Sequence, residues 1–206
     1  EHYTSQHLYN YVEPGVLYYG ENEMITSIRT STMNRDGTIN DSMYYEKFDY
    51  EGNKLGLVRQ GFTSSVPMTS LFVYDGEYYG IFPTYYMSSD YIIYKLDFEA
   101  EVLVECSRFS LDEPYELISK TKPVCMGDDI LILTESIDGL YLSSMIISID
   151  VDGNCNWERE FDFGIYNYLR WDDNSILLCS ADNRFYIYNF PSNELEEIVV
   201  DRQQYD

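Results

Sequence analysis

Two pairs of landmarks in this chain are separated by the same distance. Asp75-Gly76-Glu77-Tyr78-Tyr79 is matched by Asp128-Asp129-Ile130 and its flanks, and Leu96-Asp97-Phe98-Glu99 by Ile149-Asp150-Val151-Asp152, each a step of 53 positions. Self-similarity at a fixed period marks a repeat architecture, in which one supersecondary unit buries its apolar face only by stacking on its neighbours.

The unit reads most clearly from Val124 to Phe163. A short apolar run, Val124 to Met126, stops at Gly127-Asp128-Asp129. Ile130-Leu131-Ile132-Leu133 is continuously apolar, the pattern of a strand buried on both faces. After a break at Asp138-Gly139, Met145 to Ile149 forms a third strand, and Asp152-Gly153-Asn154 is a hairpin signal. The fourth strand alternates: Cys155, Trp157, Phe161 and Phe163 are predicted to face inward, and Asn156, Glu158, Glu160 and Asp162 outward.

Three rougher copies account for most of the remainder. Glu21 to Ile25 and Phe48 to Asn53 supply the first and second turns of an upstream copy; Trp171-Asp172-Asp173-Asn174 precedes Ile176 to Cys179 in a downstream one. The repeats are placed at about 13–62, 70–109, 123–163 and 166–201 of one domain spanning 1–206. The fold class expected is all-β and β-propeller-like: four repeats of four-stranded antiparallel blades, either a closed four-bladed ring or an arc of a larger propeller. Leu8 to Val12 reads as one extra strand, closing the ring or belonging to an incomplete blade. The chain opens at Glu1 without a Met, so a processed mature protein and an excised segment of a longer one are both expected origins.

Asp150 to Trp157, D-V-D-G-N-C-N-W, resembles the D-x-D-G-x-x-x-W turn and strand of quinoprotein-like (PQQ-like) propellers. The match is confined to this repeat. Phe48 to Asn53 keeps the Asp and Gly without a Trp, and Ala100 stands where a Gly would be. The resemblance implies the fold and no quinone, since no pocket residue carries over; no cofactor is expected. The Asp box of sialidase-type propellers, S-x-D-x-G-x-T-W, does not fit, because Gly153 comes one position late and no Thr precedes Trp157.

Composition narrows the partners. Thirteen Lys and Arg against 36 Asp and Glu give a net charge of −23, a field that repels phosphate backbones and anionic bilayers. Nucleic acid and membrane surfaces are therefore poor partners, and no apolar run is long enough for a transmembrane helix, so no membrane insertion is expected. The acidity serves solubility and keeps sheet edges apart, or attracts a cationic partner. Most of the 22 Tyr are read as half-buried strand residues. Cys106, Cys125, Cys155 and Cys179 follow no C-x-x-C spacing and are read as buried thiols rather than a disulfide pair.

Catalytic signatures are sparse. His2 and His7 both precede the repeats, so neither a Ser-His-Asp triad nor a His-rich metal centre can be built within them. Asp150, Asp152 and Asn154 alternate like the start of a calcium loop, but the glycine is misplaced and Phe161 stands where a closing acid is needed. Asp128-Asp129 and Asp172-Asp173 read as turn formers between first and second strands.

By analogy with other propellers, ligands meet the loops joining second to third strands and the links between blades. Arg35, Tyr85, Tyr86, Tyr115 and Tyr141 are the aromatic and cationic members of that face, and form the predicted ligand-binding set. The function expected is a non-catalytic binding module for a protein or glycan, extracellular or at the cell surface. Two alternatives stand beside it: a polysaccharide-active hydrolase or lyase using carboxylates near the axis, tested at Asp75, Asp128 and Asp173, and a structural assembly subunit.

Overall fold

The computed structural model describes residues 11–33, 39–60, 68, 70–85, 88–112, 115–117, 121–136 and 143–199, with backbone alone at 11–17, 31–33 and 39–41. Regular structure among them is entirely strand. Four antiparallel meanders follow one another. The first comprises β1 (Tyr11–Tyr19), β2 (Glu23–Met33), β3 (Ile39–Asp49) and β4 (Lys54–Arg59). The second comprises β5 (Ser70–Tyr74), β6 (Glu77–Pro83), β7 (Asp90–Asp97) and β8 (Val102–Ser110). A short β9 (Tyr115–Leu117) precedes the third, β10 (Val124–Met126), β11 (Asp129–Ser136), β12 (Ser144–Ile149) and β13 (Cys155–Phe161). The fourth is β14 (Ile165–Arg170), β15 (Ser175–Ser180), β16 (Phe185–Asn189) and β17 (Glu194–Ile198).

Strands pair in chain order within each meander. The first two meanders are joined into one eight-stranded sheet by a single parallel pairing, Arg59 with Val102. In the third, β9 and β10 share the edge of β11: Leu117 pairs with Thr134 and Val124 with Leu131. The segment Leu8 to Val12 is not a separate strand, since Tyr11 and Val12 belong to β1, the first strand of the first meander, and the remainder lies outside the described residues.

The turns joining third to fourth strands share one device, a leading Asp or Asn whose side chain caps the loop. Asp49 accepts the backbone N–H of Asn53 at 2.7 Å and its side-chain amide at 2.8 Å. Asp150 accepts the same two groups of Asn154, both at 2.9 Å. Asp97 caps Glu99 and Ala100, and Asn189 caps Ser192. Gly52 and Gly153 adopt φ of 86° and 82°, while Glu101 and Asn193 take positive φ in the other two turns. The calcium-like alternation at Asp150 is thus ordinary Asx-turn chemistry. In the second and third meanders the first-to-second strand turns have two residues, and Tyr74 pairing Glu77 while Met126 pairs Asp129 equates Asp75 with Gly127, one position from the register predicted.

Packing between meanders forms three core clusters. Ile25, Tyr45 and Val58 of the first meet Leu71, Phe82 and Leu96 of the second. Phe72, Ile81 and Ile93 meet Ile130, Ile132 and Ile147 of the third. Leu131, Leu133 and Ile146 meet Ile176, Leu178 and Tyr188 of the fourth. Ile130 to Leu133 are at most 3% exposed, so both faces of β11 are interfaces, as their continuous apolarity requires. On β13, Trp157 and Phe161 turn inward with Arg159, whose guanidinium lies 5.9 Å from the ring centroids of Phe161 and Tyr188. Cys155 does not join that row: a register shift between Ser148 and Ile149 leaves it exposed. Cys106 is exposed as well, and Cys125 and Cys179 are half-buried, all four free, which corrects the reading of four buried thiols.

Candidate functional site

First strands of successive meanders run side by side and in the same direction. The Ser70 hydroxyl donates to the Thr121 carbonyl at 3.1 Å, the Cys125 thiol to the Val73 carbonyl at 3.3 Å, and the Tyr74 hydroxyl to Asp128 Oδ1 at 3.1 Å. Next in the series, the Tyr168 hydroxyl of β14 donates to the Leu131 carbonyl at 2.7 Å. The end of the molecule carrying the short turns thus brings parts of three meanders together.

A cavity of about 450 Å³ opens there, lined by Val73, Tyr74, Asp75, Cys125, Gly127, Asp128 and Arg170. Each polar member is positioned by local structure. Asp75 and Gly76, at φ of 49° and 75°, form a two-residue hairpin turn that projects Asp75 from the end of β5. Gly127, at φ of 62°, does the same for Asp128 at the end of β10. Arg170 ends β14; its Nε donates to the Asp172 carbonyl at 3.3 Å and its guanidinium pairs with Asp173.

Three groups in or beside the cavity have shifted titration. Burial pushes the Cys125 thiol up to about 11 against the opposing pull of Arg170, so it is a neutral thiol at pH 7. The hydrogen bond to Asp128, then burial, raises the Tyr74 phenol above its ordinary value. Ser175 and the Asn174 N–H hold Asp172 below the usual carboxylate range. Chemically the cavity offers carboxylate acceptors, a guanidinium and an aromatic ring, with a thiol and a phenol that both keep their protons. Among the described residues, no three His, Cys, Asp or Glu side chains come together as a metal site would require.

Of the predicted ligand-binding set, Arg35, Tyr86 and Tyr141 lie outside the described residues. Tyr85 follows β6 and is 59% exposed. Tyr115 is half-buried on β9, and its hydroxyl donates to Glu160 Oε1 at 2.5 Å, so its polar end already has a partner. Both belong to the end of the long loops. Sequence reasoning did not single out Tyr74, Cys125 and Arg170. The available signal was the position of Asp75 and Asp128 in turns at the ends of first strands, which puts their neighbours on the axis.

No known protein family matches the chain, and no curated protein matches it. Solved structures do. A subtype N10 neuraminidase-like protein of A/little yellow-shouldered bat/Guatemala aligns with 92% of this chain and 58% of its own, at 12% identity and a TM-score of 0.51. A chimera of ACO and RPE65 aligns with 92% of this chain and 50% of its own, at 6% identity and a TM-score of 0.51. BamB from Moraxella catarrhalis aligns over 88% and 59%, at 14% identity and a TM-score of 0.43. At these identities the likeness is one of fold, and the fold is a β-propeller. The chain spans between half and three-fifths of the length of these structures.

Proposed function

We propose that this chain is a non-catalytic binding module, an arc of a propeller that receives a glycan in the axial cavity between its second, third and fourth meanders. The observation that carries this reading is the cavity's lining, which brings carboxylates, a guanidinium and an aromatic ring together from three meanders. Acid–base catalysis needs a group that titrates near the working pH, and nucleophilic catalysis needs an activated nucleophile. Cys125, at about 11, is neither, and Tyr74 is held protonated by its bond to Asp128. Carboxylates to accept sugar hydroxyls, Arg170 to donate to ring and linkage oxygens, and the Tyr74 ring as a flat apolar wall suit a polyhydroxylated ligand. Three core clusters for four meanders, with none joining fourth to first among the described residues, favour an arc over a ring closed at four.

A second reading has one observation in its favour. Asp75 and Asp128, from neighbouring meanders, line the same cavity, as a polysaccharide hydrolase or lyase with axial carboxylates requires. A glycan panel separates the two. Saturable binding without chain cleavage, lost in Asp75→Asn and Asp128→Asn, supports the module. Product release abolished by the same substitutions supports the enzyme, and a panel without binders removes both.

A further inference from the structure

Charge in the axial cavity is unbalanced. Arg170 is the one cation among the described residues of its lining, and it is already engaged: its guanidinium pairs with Asp173 and its Nε donates to the Asp172 carbonyl. Asp75 and Asp128 have no such counter-charge, since neither enters an ion pair among the described residues. Asp128 accepts the Tyr74 hydroxyl at Oδ1, which leaves Oδ2 open, and no hydrogen bond among the described residues involves the Asp75 side chain. Glu77, two positions beyond Asp75, shows the contrast, with Lys95 Nζ at 3.0 Å.

The two open carboxylates flank one ring. The Tyr74 phenol is raised by its bond to Asp128, then by burial and by the charges of Asp128 and Asp75, so both stand close to it. Tyr79 holds that ring in a T-shaped contact, centroids 6.3 Å apart. Like charges facing one cavity repel, and the hydroxyls of a neutral sugar would leave that repulsion in place. An ammonium relieves it, and is also the group that an aromatic face attracts. The chain's net charge of −23 favours the same sign of ligand at longer range. A volume of about 450 Å³ falls within the range of roughly 300–1,000 Å³ typical of small-ligand sites.

We infer that the glycan received here carries a free ammonium, an amino sugar whose nitrogen is not acylated; this rests on the cavity being a glycan site. The ammonium lies between Asp75 and Asp128 at the Tyr74 ring. Arg170 donates to a ring or linkage oxygen through Nη1, the guanidinium nitrogen that neither Asp172 nor Asp173 engages. An N-acetyl group would put bulk where the charge belongs. A uronic acid would add a third negative charge to the two already there.

Titration calorimetry of the 206-residue chain with β-1,4-linked trisaccharides of glucosamine, N-acetylglucosamine and glucose tests this, because the three differ only at C2. The glucosamine trimer should bind at least about tenfold tighter than the other two, as an exposed ion pair combined with a cation–π contact would give. Asp75→Asn and Asp128→Asn should each remove that preference. Asn tolerates the left-handed φ at 75, and at 128 its amide oxygen still accepts the Tyr74 hydroxyl, so circular dichroism should not change. Glu158→Gln, on the outer strand β13, removes the same charge and should change nothing. Equal binding of the three trimers, or binding of other glycans but not the glucosamine trimer, would overturn the inference and leave the glycan site standing. A preference that survives both Asp substitutions would overturn it as general attraction to an acidic chain. Tighter binding of trilysine would overturn it in favour of a basic peptide, and a chain that binds no glycan removes the inference and the site together.

Discussion

Gly153, at the turn between β12 and β13, lies against the carbonyl of Arg108 on β8: a methyl group there would stand 2.7 Å from that oxygen. Gly52 occupies the same place in the first meander with nothing within 4 Å of its would-be methyl. Both glycines have positive φ, so both substitutions strain the backbone, and only one adds a collision. Gly52→Ala should cost about 1–2 kcal/mol from left-handed strain alone. Gly153→Ala should cost about 2–4 kcal/mol, because overpacking against rigid backbone adds to that strain. Thermal melting of the two variants checks the order. Equal losses would mean that the contact between second and third meanders is absent in solution.

Buried tyrosines set the alkaline limit. The Tyr168 hydroxyl bonds the Leu131 carbonyl, that of Tyr45 donates to Gln60 Oε1 at 2.9 Å, and that of Tyr91 accepts the Leu117 N–H at 3.2 Å. Burial is the largest cause that raises all three phenols above their ordinary value. The unfolded chain ionises these groups at about pH 10 and the native chain does not, so stability is complete below that pH and falls above it. Spectrophotometric titration should show a class of tyrosines that ionises only as the fold is lost. Tyr168→Phe should cost about 1 kcal/mol for the missing hydrogen bond.

Asx turns set the acid limit with the opposite sign. Asn53 and Asn154, chiefly through their side-chain amides, hold Asp49 and Asp150 below the usual carboxylate range. A depressed native pKa stabilises above the unfolded value of about 3.9 and ceases to as the pH falls through the native one. Melting temperature should therefore decline between about pH 5 and pH 2, and less steeply in an Asp49→Asn, Asp150→Asn double variant. An unchanged slope would assign the acid limb to other carboxylates.

Thiol reactivity should divide the cysteines. Cys106 and Cys155 are exposed and should react with an aromatic disulfide reagent in the native protein. Cys125, half-buried, pushed up to about 11 and bonded to the Val73 carbonyl, should react more slowly than either. Mass mapping after a short exposure reads the order directly.

The repeat was legible because strand burial and turn chemistry are local. Ile130 to Leu133 advertise two buried faces, and the Asp150 turn announces itself by its glycine and its Asx pair. The sequence does not show the shift between Ser148 and Ile149 that turns Cys155 outward, because a bulge depends on the partner strand. Nor was the axial cavity legible. Tyr74, Asp128 and Arg170 come from three meanders, and only the parallel alignment of β5, β10 and β14 brings them together. Asp75 and Asp128 read correctly as turn residues, and the hydrolase alternative also named them as carboxylates near the axis, but without Tyr74, Cys125 or Arg170.

The account rests on four meanders in an open series, and one distance tests it. Spin labels at positions 54 and 194, on the outer strands of the first and fourth meanders, are introduced with Cys106 and Cys155 replaced by Ser. Diluting the labelled chain in unlabelled chain leaves only the intramolecular separation. Labels at Glu105 and Glu158, on the outer strands of adjacent meanders, give the neighbour distance for comparison. The account predicts that the 54–194 separation is far longer than this control. A separation equal to the control would mean that the fourth meander packs on the first, and that the ring closes at four.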